Sequence, residues 1–560
     1  MKNKIFVIST TVLLLLSTAC EDFLDKNPLD KPSTENFPQT QEELLMGINA
    51  TYRNFWYTAP GIGKSSWWYV YDHMADVGWE RNLSDCQLIA NGNHASTTYF
   101  FSHFWDHRYT AIAKCNYLLT NMEKAKAVTD PEFYSQVDGQ ARFIRAFWYW
   151  ELSYLFGNVP LIIKPLGLED DLFVSNGNKE QTVDFLLSDL DIAISELPVS
   201  WDKNDQGRAT KGAALTLKAR IALFDQRWDI AVQATQEVMQ LNMYHLYPNY
   251  RELFTYAGES CSEVIFEIMF QYGIKDHRDG RCFFPRNAKG HSNKVPIQAI
   301  VDSYECTDGK MIDQSPLYDP AIPFKNRDPR LDQSIVLPGT IMAGFQFETY
   351  KDSLECWNYN TDPPVRIGNQ DVLNPYATFS GYLWRKRTDI ADLQYLSNSS
   401  LNWIMMRYAE VLLMYAEAKI ELNQIDQSVY DAINQIRGRE SVLMPPIEIG
   451  KTQAEMRKII RQERKIELLC EGLRLFDIRR WRIAEKCMSG PLFGRPQKPY
   501  NYADQGIPTF DENGIPNHDA YKDKLTVIEI RTFDPNRDYL WPFPQKEIDV
   551  NPNLVQNPGY

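Results

Sequence analysis

Apolar residues along much of this 560-residue chain recur at three- and four-residue steps, the spacing that lines up side chains on one face of an α-helix. Val137, Ala141, Ile144, Trp148, Leu152 and Leu155 form the clearest stripe. Asp130 precedes it as an N-cap with Pro131 at the first helical position, and Gly157, Asn158 and Pro160 end it. A second stripe holds Phe185, Leu186, Leu190, Ile194 and Leu197 before Pro198. A third starts at Thr210 and carries Leu217, Ile221 and Phe224. A short break at Asp225 to Arg227 leads to a fourth with Trp228, Ala231, Ala234, Val238 and Leu241. Two amphipathic helices joined by so short a turn predict a hairpin of the tetratricopeptide (TPR) type. Helices are expected again from Trp403 to Leu422, around Val429 to Arg437, and from Thr452, which forms a capping box with Glu455.

The pattern breaks between Tyr244 and Ser400. Pro and Gly interrupt this stretch, it is rich in Tyr, Trp, Asn and Asp, and its one strand-like run is Glu263 to Phe270. Long loops inside a compact protein usually carry function. Trp67 to Tyr109 is similar in kind. The expected architecture is therefore mainly α, a TPR-like helical scaffold with long irregular loops and a few short strands, and with ligand contacts in about 60–110 and 244–400.

The first residues have another logic. Lys2 and Lys4 precede an apolar run from Ile5 to Leu16, followed by Ser17, Thr18, Ala19 and Cys20. A run of about a dozen apolar residues is too short to span a bilayer, which takes about 20, but it suits an export signal. Because the small residues end on Cys20, residues 1–19 read as a lipoprotein signal and Cys20 as the lipidated residue. Several acyl chains, at roughly 0.8 kcal/mol per buried CH₂, give durable anchorage. Glu21 and Asp22 resemble a tag for the outer cell surface. The Pro-containing stretch to Pro38 reads as an extended tether, leaving residues 39–560 as one domain.

Composition narrows the chemistry. A formal net charge of -14 with no basic run argues against nucleic acid, which needs clustered Lys and Arg. Aromatic residues make up 13% of the chain, including 14 Trp and 30 Tyr, more than a core requires, so some rings are expected to face a ligand. The eight cysteines after Cys20 form no CxxC or Cys/His pairing, so neither a metal site nor a disulfide pattern is indicated. His103 and His107 share a helical face but lack the HExxH glutamate and a third ligand, and read as core or surface residues. Thr58 to Ser66 ends like a phosphate loop in Gly63-Lys64-Ser65, yet Thr58 stands where the first Gly belongs. No cofactor and no catalytic motif is indicated.

Six blocks, "GQARFIRAFWYWELSYLFGNVPLI" (139–162), "GRATKGAALTLKARIALF" (207–224), "SEVIFEI" (262–268), "MRYAEVLLMYAEAKIELN" (406–423), "RQERKIELLCEGLRLFDIRRW" (461–481) and "NPNLVQNPGY" (551–560), together with "CEDFLDKNP" from Cys20, closely resemble the SusD/RagB family of outer-membrane nutrient-binding lipoproteins. The resemblance runs in order over essentially the whole chain. It implies a TPR-containing fold that captures glycans, or in some members peptides, as a lid on a TonB-dependent SusC-like transporter in the outer membrane, without catalysis. The blocks themselves read as scaffold. Arg464 with Glu467, and Glu471 with Arg474, fall at helical contact spacing and suit a surface or partly buried ion-pair network.

For ligand contact the loops are the better source. A pyranose has a polar rim and apolar CH faces, so its receptor needs flat rings beside a few fixed hydrogen-bonding groups. "SSWWYVYDHMADVGWERN" supplies Trp67, Trp68, Trp79, Asp76 and Arg81. "ECWNYN" supplies Trp357 and Tyr359, and "GYLWRKR" supplies Trp384. A peptide receptor and a glycoside hydrolase are the alternatives. The hydrolase would need two carboxylates flanking the scissile bond.

Overall fold

The computed structural model describes residues 37–58, 65–82, 84–167, 169–498 and 506–560. The signal segment, Cys20 and nearly all of the tether lie outside the described residues, as does most of the Thr58 to Ser66 stretch. No described helix is long and apolar enough to cross a membrane.

The scaffold is helical, as the periodicity predicts. Helices α1 (Gln41–Tyr52), α2 (Tyr99–Asn121), α3 (Pro131–Phe156), α4 (Lys179–Glu196), α5 (Lys211–Phe224) and α6 (Trp228–Gln240) follow in order, and from α2 onward each packs on the next. Asp130 caps α3 by accepting hydrogen bonds from the backbone N–H groups of Glu132 and Phe133, both at 3.0 Å. The α5–α6 turn passes through Gln226 in the left-handed region at φ 60°, giving the tight TPR-like hairpin. After a long insertion the chain returns as α7 (Tyr408–Glu421), which packs on α6 and continues the array into α8 (Gln427–Arg437) and α9 (Gln453–Glu467). Thr452 and Glu455 close the expected capping box on α9.

Two of the expected elements need correction. Trp403 to Arg407 is a strand, antiparallel to Val264–Ile268, and the helix starts only at Tyr408. The apolar run is continuous through this boundary, and the strand's partner lies about 140 residues earlier, so local periodicity carries no sign of it. Nor is 67–109 a loop region throughout. Residues 67–80 are buried apart from the half-buried Asp76, and Tyr99 to Tyr109 is the first half of α2.

The insertion between α6 and α7 is built from short pieces. Gly78–Glu80 pairs with Lys294–Pro296, Ile335–Val336 pairs with Leu383–Trp384, and a four-stranded antiparallel sheet spans Ile341–Met342, Phe345–Gln346, Glu355–Asn358 and Val365–Gly368.

A buried ion cluster ties this insertion to the helices. Arg407, ending the Trp403–Arg407 strand, reaches Glu263 at 2.7 Å, Glu467 at 2.8 Å and Glu471 at 2.7 Å. Arg439 joins Glu263 at 2.6 Å and Glu467 at 2.8 Å. From the insertion, Arg330 contacts Glu467 at 3.0 Å and Lys386 contacts Glu471 at 2.7 Å. The pairs expected along one helix are not made. Arg464 instead holds Asp477 at 3.0 Å, and Arg474 holds Asp76 at 2.6 Å. Glu467 is taken by Arg330, Arg407 and Arg439, and Glu471 and Arg474 do not share a helix, because α9 stops at Glu467 and the chain turns through Cys470 and Gly472 at φ 62° and 81°. A Cβ on Gly472 would lie 2.2 Å from the Trp68 carbonyl oxygen, so the turn admits only glycine.

Burial opposes charge on Glu467, yet the guanidiniums of Arg439, Arg407 and Arg330 hold its carboxyl well below the ordinary carboxylate value. Removing one partner of such a cluster strands the others. Glu467→Ala is therefore expected to cost about 3–5 kcal/mol in denaturant unfolding. A carboxyl depressed by folding stabilises above its unfolded value, roughly 4.3, and loses that contribution as pH falls through the folded one. The deficit of the variant should accordingly shrink as the medium is acidified below about pH 4. A cost below about 1 kcal/mol at neutral pH would show that the cluster does not hold the fold.

Candidate functional site

The predicted aromatic set divides sharply. Trp67 is 0% exposed, wedged among Tyr71, Phe100 and Phe104 with ring centroids at 4.9, 5.1 and 5.9 Å. Trp68 packs between Phe147 and Trp148. Trp384 is fully buried and donates its indole N–H to His73 Nε2 at 3.1 Å. Trp79, in the Gly78–Glu80 strand, is 5% exposed and meets Phe379 edge-on at 5.6 Å. These four rings are core, with no free face to offer a sugar. Asp76 is likewise structural. Burial would raise its carboxyl, but the two-pronged contact with Arg474, at 2.7 and 2.6 Å, holds it below the ordinary value. The neighbouring Asp72 accepts the backbone N–H groups of Gly472 and Arg474, so the whole segment serves the α9 turn.

Trp357 and Tyr359 do reach the surface, at 38% and 43% exposure. Both lie by the Glu355–Asn358 strand with ring centroids 6.5 Å apart and planes tilted by 34°, and Arg366 from the paired strand sits 5.3 Å over the indole. Asn358 and Asn360 flank them, and Asn360 donates its side-chain N–H to the Ala343 carbonyl at 3.1 Å. Here flat rings stand beside fixed polar groups.

A second exposed surface forms where two insertion loops meet Arg81. Tyr376 is 62% exposed and its ring faces the Arg81 guanidinium at 5.4 Å. Arg81 donates to the carbonyl oxygens of His291, at 3.2 Å, and of Tyr376. Arg286 donates to the same Tyr376 carbonyl at 3.0 Å. Phe379 is exposed next to Trp79, and Tyr272 and Tyr395 pair at 4.6 Å. Arg281 donates to His291 Nε2 at 2.8 Å and to Ser397 Oγ at 2.9 Å. Of the predicted residues, Arg81 alone joins this surface. Tyr272, Tyr376, Phe379 and Tyr395 carry no periodic signal, but Tyr272 and Tyr376 stand next to a Gly and a Pro in the sequence. "HRDGRCFFPR" brings three arginines within nine residues of an acidic chain.

Among the described residues no cluster of three His, Cys, Asp or Glu could hold a metal ion. His103 shares a hydrogen bond with the Tyr57 hydroxyl at 2.8 Å, and burial with the nearby Arg108 pushes His107 down to about 2, so it stays neutral. The eight described cysteines are unpaired.

The helical array with its inserted loop domain has known counterparts. The sequence profile of the SusD family matches residues 262–560, and a second profile, described as starch-binding and associating with the outer membrane, matches residues 22–223. The chain belongs to the SusD family. A SusD-like protein, P25, of Formosa agariphila is 25% identical over 520 residues, covering 86% of this chain and 90% of its own. A SusD-like carbohydrate-binding protein from Bacteroides fragilis of known structure superposes with a TM-score of 0.79 at 28% identity, covering 93% of this chain and 100% of that one. Another SusD-like protein from the same organism gives 0.76 at 25%, covering 96% and 100%.

The division of the tryptophans is directly measurable. Trp67→Ala is expected to lose about 3–5 kcal/mol of stability by opening a cavity among packed rings, and Trp79→Ala should also destabilise. Trp357→Ala is expected to stay within about 0.5 kcal/mol of the parent in thermal or denaturant unfolding, as for a surface substitution.

Proposed function

We propose that this protein is a non-catalytic, lipid-anchored receptor of the outer cell surface that captures oligosaccharides with its exposed loop aromatics and passes them to a TonB-dependent SusC-like transporter. The observation that carries the reading is the set of half-exposed rings, Trp357, Tyr359, Tyr376 and Tyr395, each set beside Arg, Asn or Ser on a rigid insertion. Membership of the SusD family and the likeness to a carbohydrate-binding protein of Bacteroides fragilis support the ligand class. The sequence around Cys20 supports the anchor, and the profile described as associating with the outer membrane supports the location. The transporter partner rests on the family resemblance.

The mechanism is capture. Rings stack on the apolar faces of the sugar while amides and guanidiniums hold its hydroxyls. A modest affinity then allows release toward the pore.

Calorimetry of the protein against a panel of glycans and peptides decides between the two ligand classes. Tyr376→Ala and Trp357→Ala are each examined with the glycan that binds. Loss of one aromatic contact, about 1 kcal/mol, is expected to weaken binding roughly fivefold at the platform in use. Unaltered titrations for both variants would remove these platforms. Sustained release of reducing sugar that disappears on replacing a single carboxylate would instead make the protein a glycoside hydrolase. Cys20→Ala should leave ligand binding intact and abolish membrane attachment, read by cell fractionation.

A further inference from the structure

We infer that the loop surface at Arg81, Arg278, Arg281 and Arg286 selects glycans that carry negative charge, as ester sulfate or uronate carboxylate. This deepens the receptor reading above and rests on it.

The chain is acidic, with a formal net charge of -14, and its buried arginines are mostly matched to carboxylates. These four are different. Among the described residues none of them forms an ion pair, although Arg81 and Arg281 contact His291 directly and Arg278 and Arg286 lie near enough to act on its charge. Their hydrogen bonds go to neutral acceptors. Arg81 uses the His291 and Tyr376 carbonyls, and Arg286 the Tyr376 carbonyl. Arg281 uses the His291 ring and the Ser397 hydroxyl. Arg278 keeps a buried Nε–H with no partner. Because Arg81 and Arg286 donate to one oxygen atom, their guanidiniums sit no further apart than two hydrogen bonds allow.

Neutral acceptors fix the direction of a guanidinium without cancelling its charge, so the mutual repulsion of the cluster remains. Burial and then the surrounding arginines push His291 down to about 4, which keeps the imidazole neutral and able to accept from Arg281. The carboxylates near this group are engaged elsewhere: Asp279 accepts the Ser66 backbone N–H at 2.8 Å, Asp392, against Gly280, accepts the Tyr256 hydroxyl at 2.6 Å, and Asp371 is buried. Its oxygens accept the Arg286 backbone N–H at 2.7 Å, and the Asn287 backbone and side-chain N–H groups at 3.4 and 3.1 Å. It offsets part of the charge of Arg286 and leaves the guanidinium free to turn toward Tyr376.

A half-exposed cluster of forks with unneutralised charge fits planar or tetrahedral oxyanions, which guanidinium recognises in a bidentate manner. The exposed Tyr376 ring lies alongside Arg81, and Ser397, held by Arg281, is two residues from Tyr395. A saccharide ring can therefore stack while its acidic substituent meets the forks. A neutral glycan would leave the repulsion in place.

The test measures affinity of the full chain for three probes: a sulfated galactan, polygalacturonate and a neutral β-glucan. At least one charged probe is expected to bind ten times or more tighter than the neutral one, and the two charged arms show whether sulfate or carboxylate is preferred. Arg281→Gln, at an exposed position, should weaken the charged probe on the order of tenfold, the loss of one charge-assisted contact, and the double variant Arg81→Gln with Arg286→Gln should weaken it further. Arg281→Lys should recover part of that loss. Melting temperatures identify any variant that fails to fold, in which case Arg281→Gln alone decides. Equal binding of neutral and charged glycans, unmoved by Arg281→Gln, overturns this inference and leaves the receptor reading standing. Failure of every glycan to bind, with peptide binding in its place, overturns both.

Discussion

The buried cluster around Glu467 is the constraint on which the rest depends. Its members come from distant parts of the chain. Glu263 precedes the first and Arg407 ends the second of the paired strands that open and close the insertion, Arg439 follows α8, Glu467 ends α9, and Arg330 and Lys386 belong to the insertion itself. Withdrawing so many charges from water is costly, and only near-complete mutual pairing offsets that cost. In the arrangement observed, each carboxylate of the cluster meets at least two cations. That arrangement locks the insertion onto the helical array, so loops with little regular structure are carried on a rigid base.

This base explains how the aromatic residues are divided. The segment from Trp67 to Trp79 lies against the α9 turn, where Asp72 and Asp76 serve Gly472 and Arg474, and its rings fill the space between α2, α3 and the insertion. Rings further out, on the sheet at Trp357 and on the loops at Tyr272, Tyr376 and Tyr395, have no second layer to bury them. Their exposure is a consequence of the topology, and it puts apolar faces next to guanidiniums and amides.

The helical half of the fold is legible in the sequence because its information is local. The Asp130-Pro131 start of α3, the hairpin at Asp225 to Arg227 and the Thr452 capping box are each read within a few residues and stand where expected. What is not legible depends on distant pairing. Trp403 to Arg407 reads as helix because its strand partner, Val264 to Ile268, lies far away in sequence. Glu467 and Glu471 read as members of pairs along one helix, with Arg464 and Arg474, whereas their cations come from Arg330, Lys386, Arg407 and Arg439. The candidate rings suffer from the same limit. A Trp in a polar, Gly-containing stretch has the same local signature whether it ends in the core, as Trp67 and Trp384 do, or at the surface, as Trp357 does. Arg81 is readable as a loop cation and Arg278, Arg281 and Arg286 as a local cluster, but that Arg81 joins them appears only when two loops are seen side by side.

The central claim is that a glycan is held by the insertion loops and not by the helical array. Hydrogen exchange measured with and without the best-binding member of a glycan panel tests it most directly. Protection is predicted in loops 272–291 and 376–397, or along the Glu355–Asn358 strand and Tyr359, with the helices of the array unchanged. Protection concentrated on the array helices α4 to α6, with those loops unaffected, would contradict it.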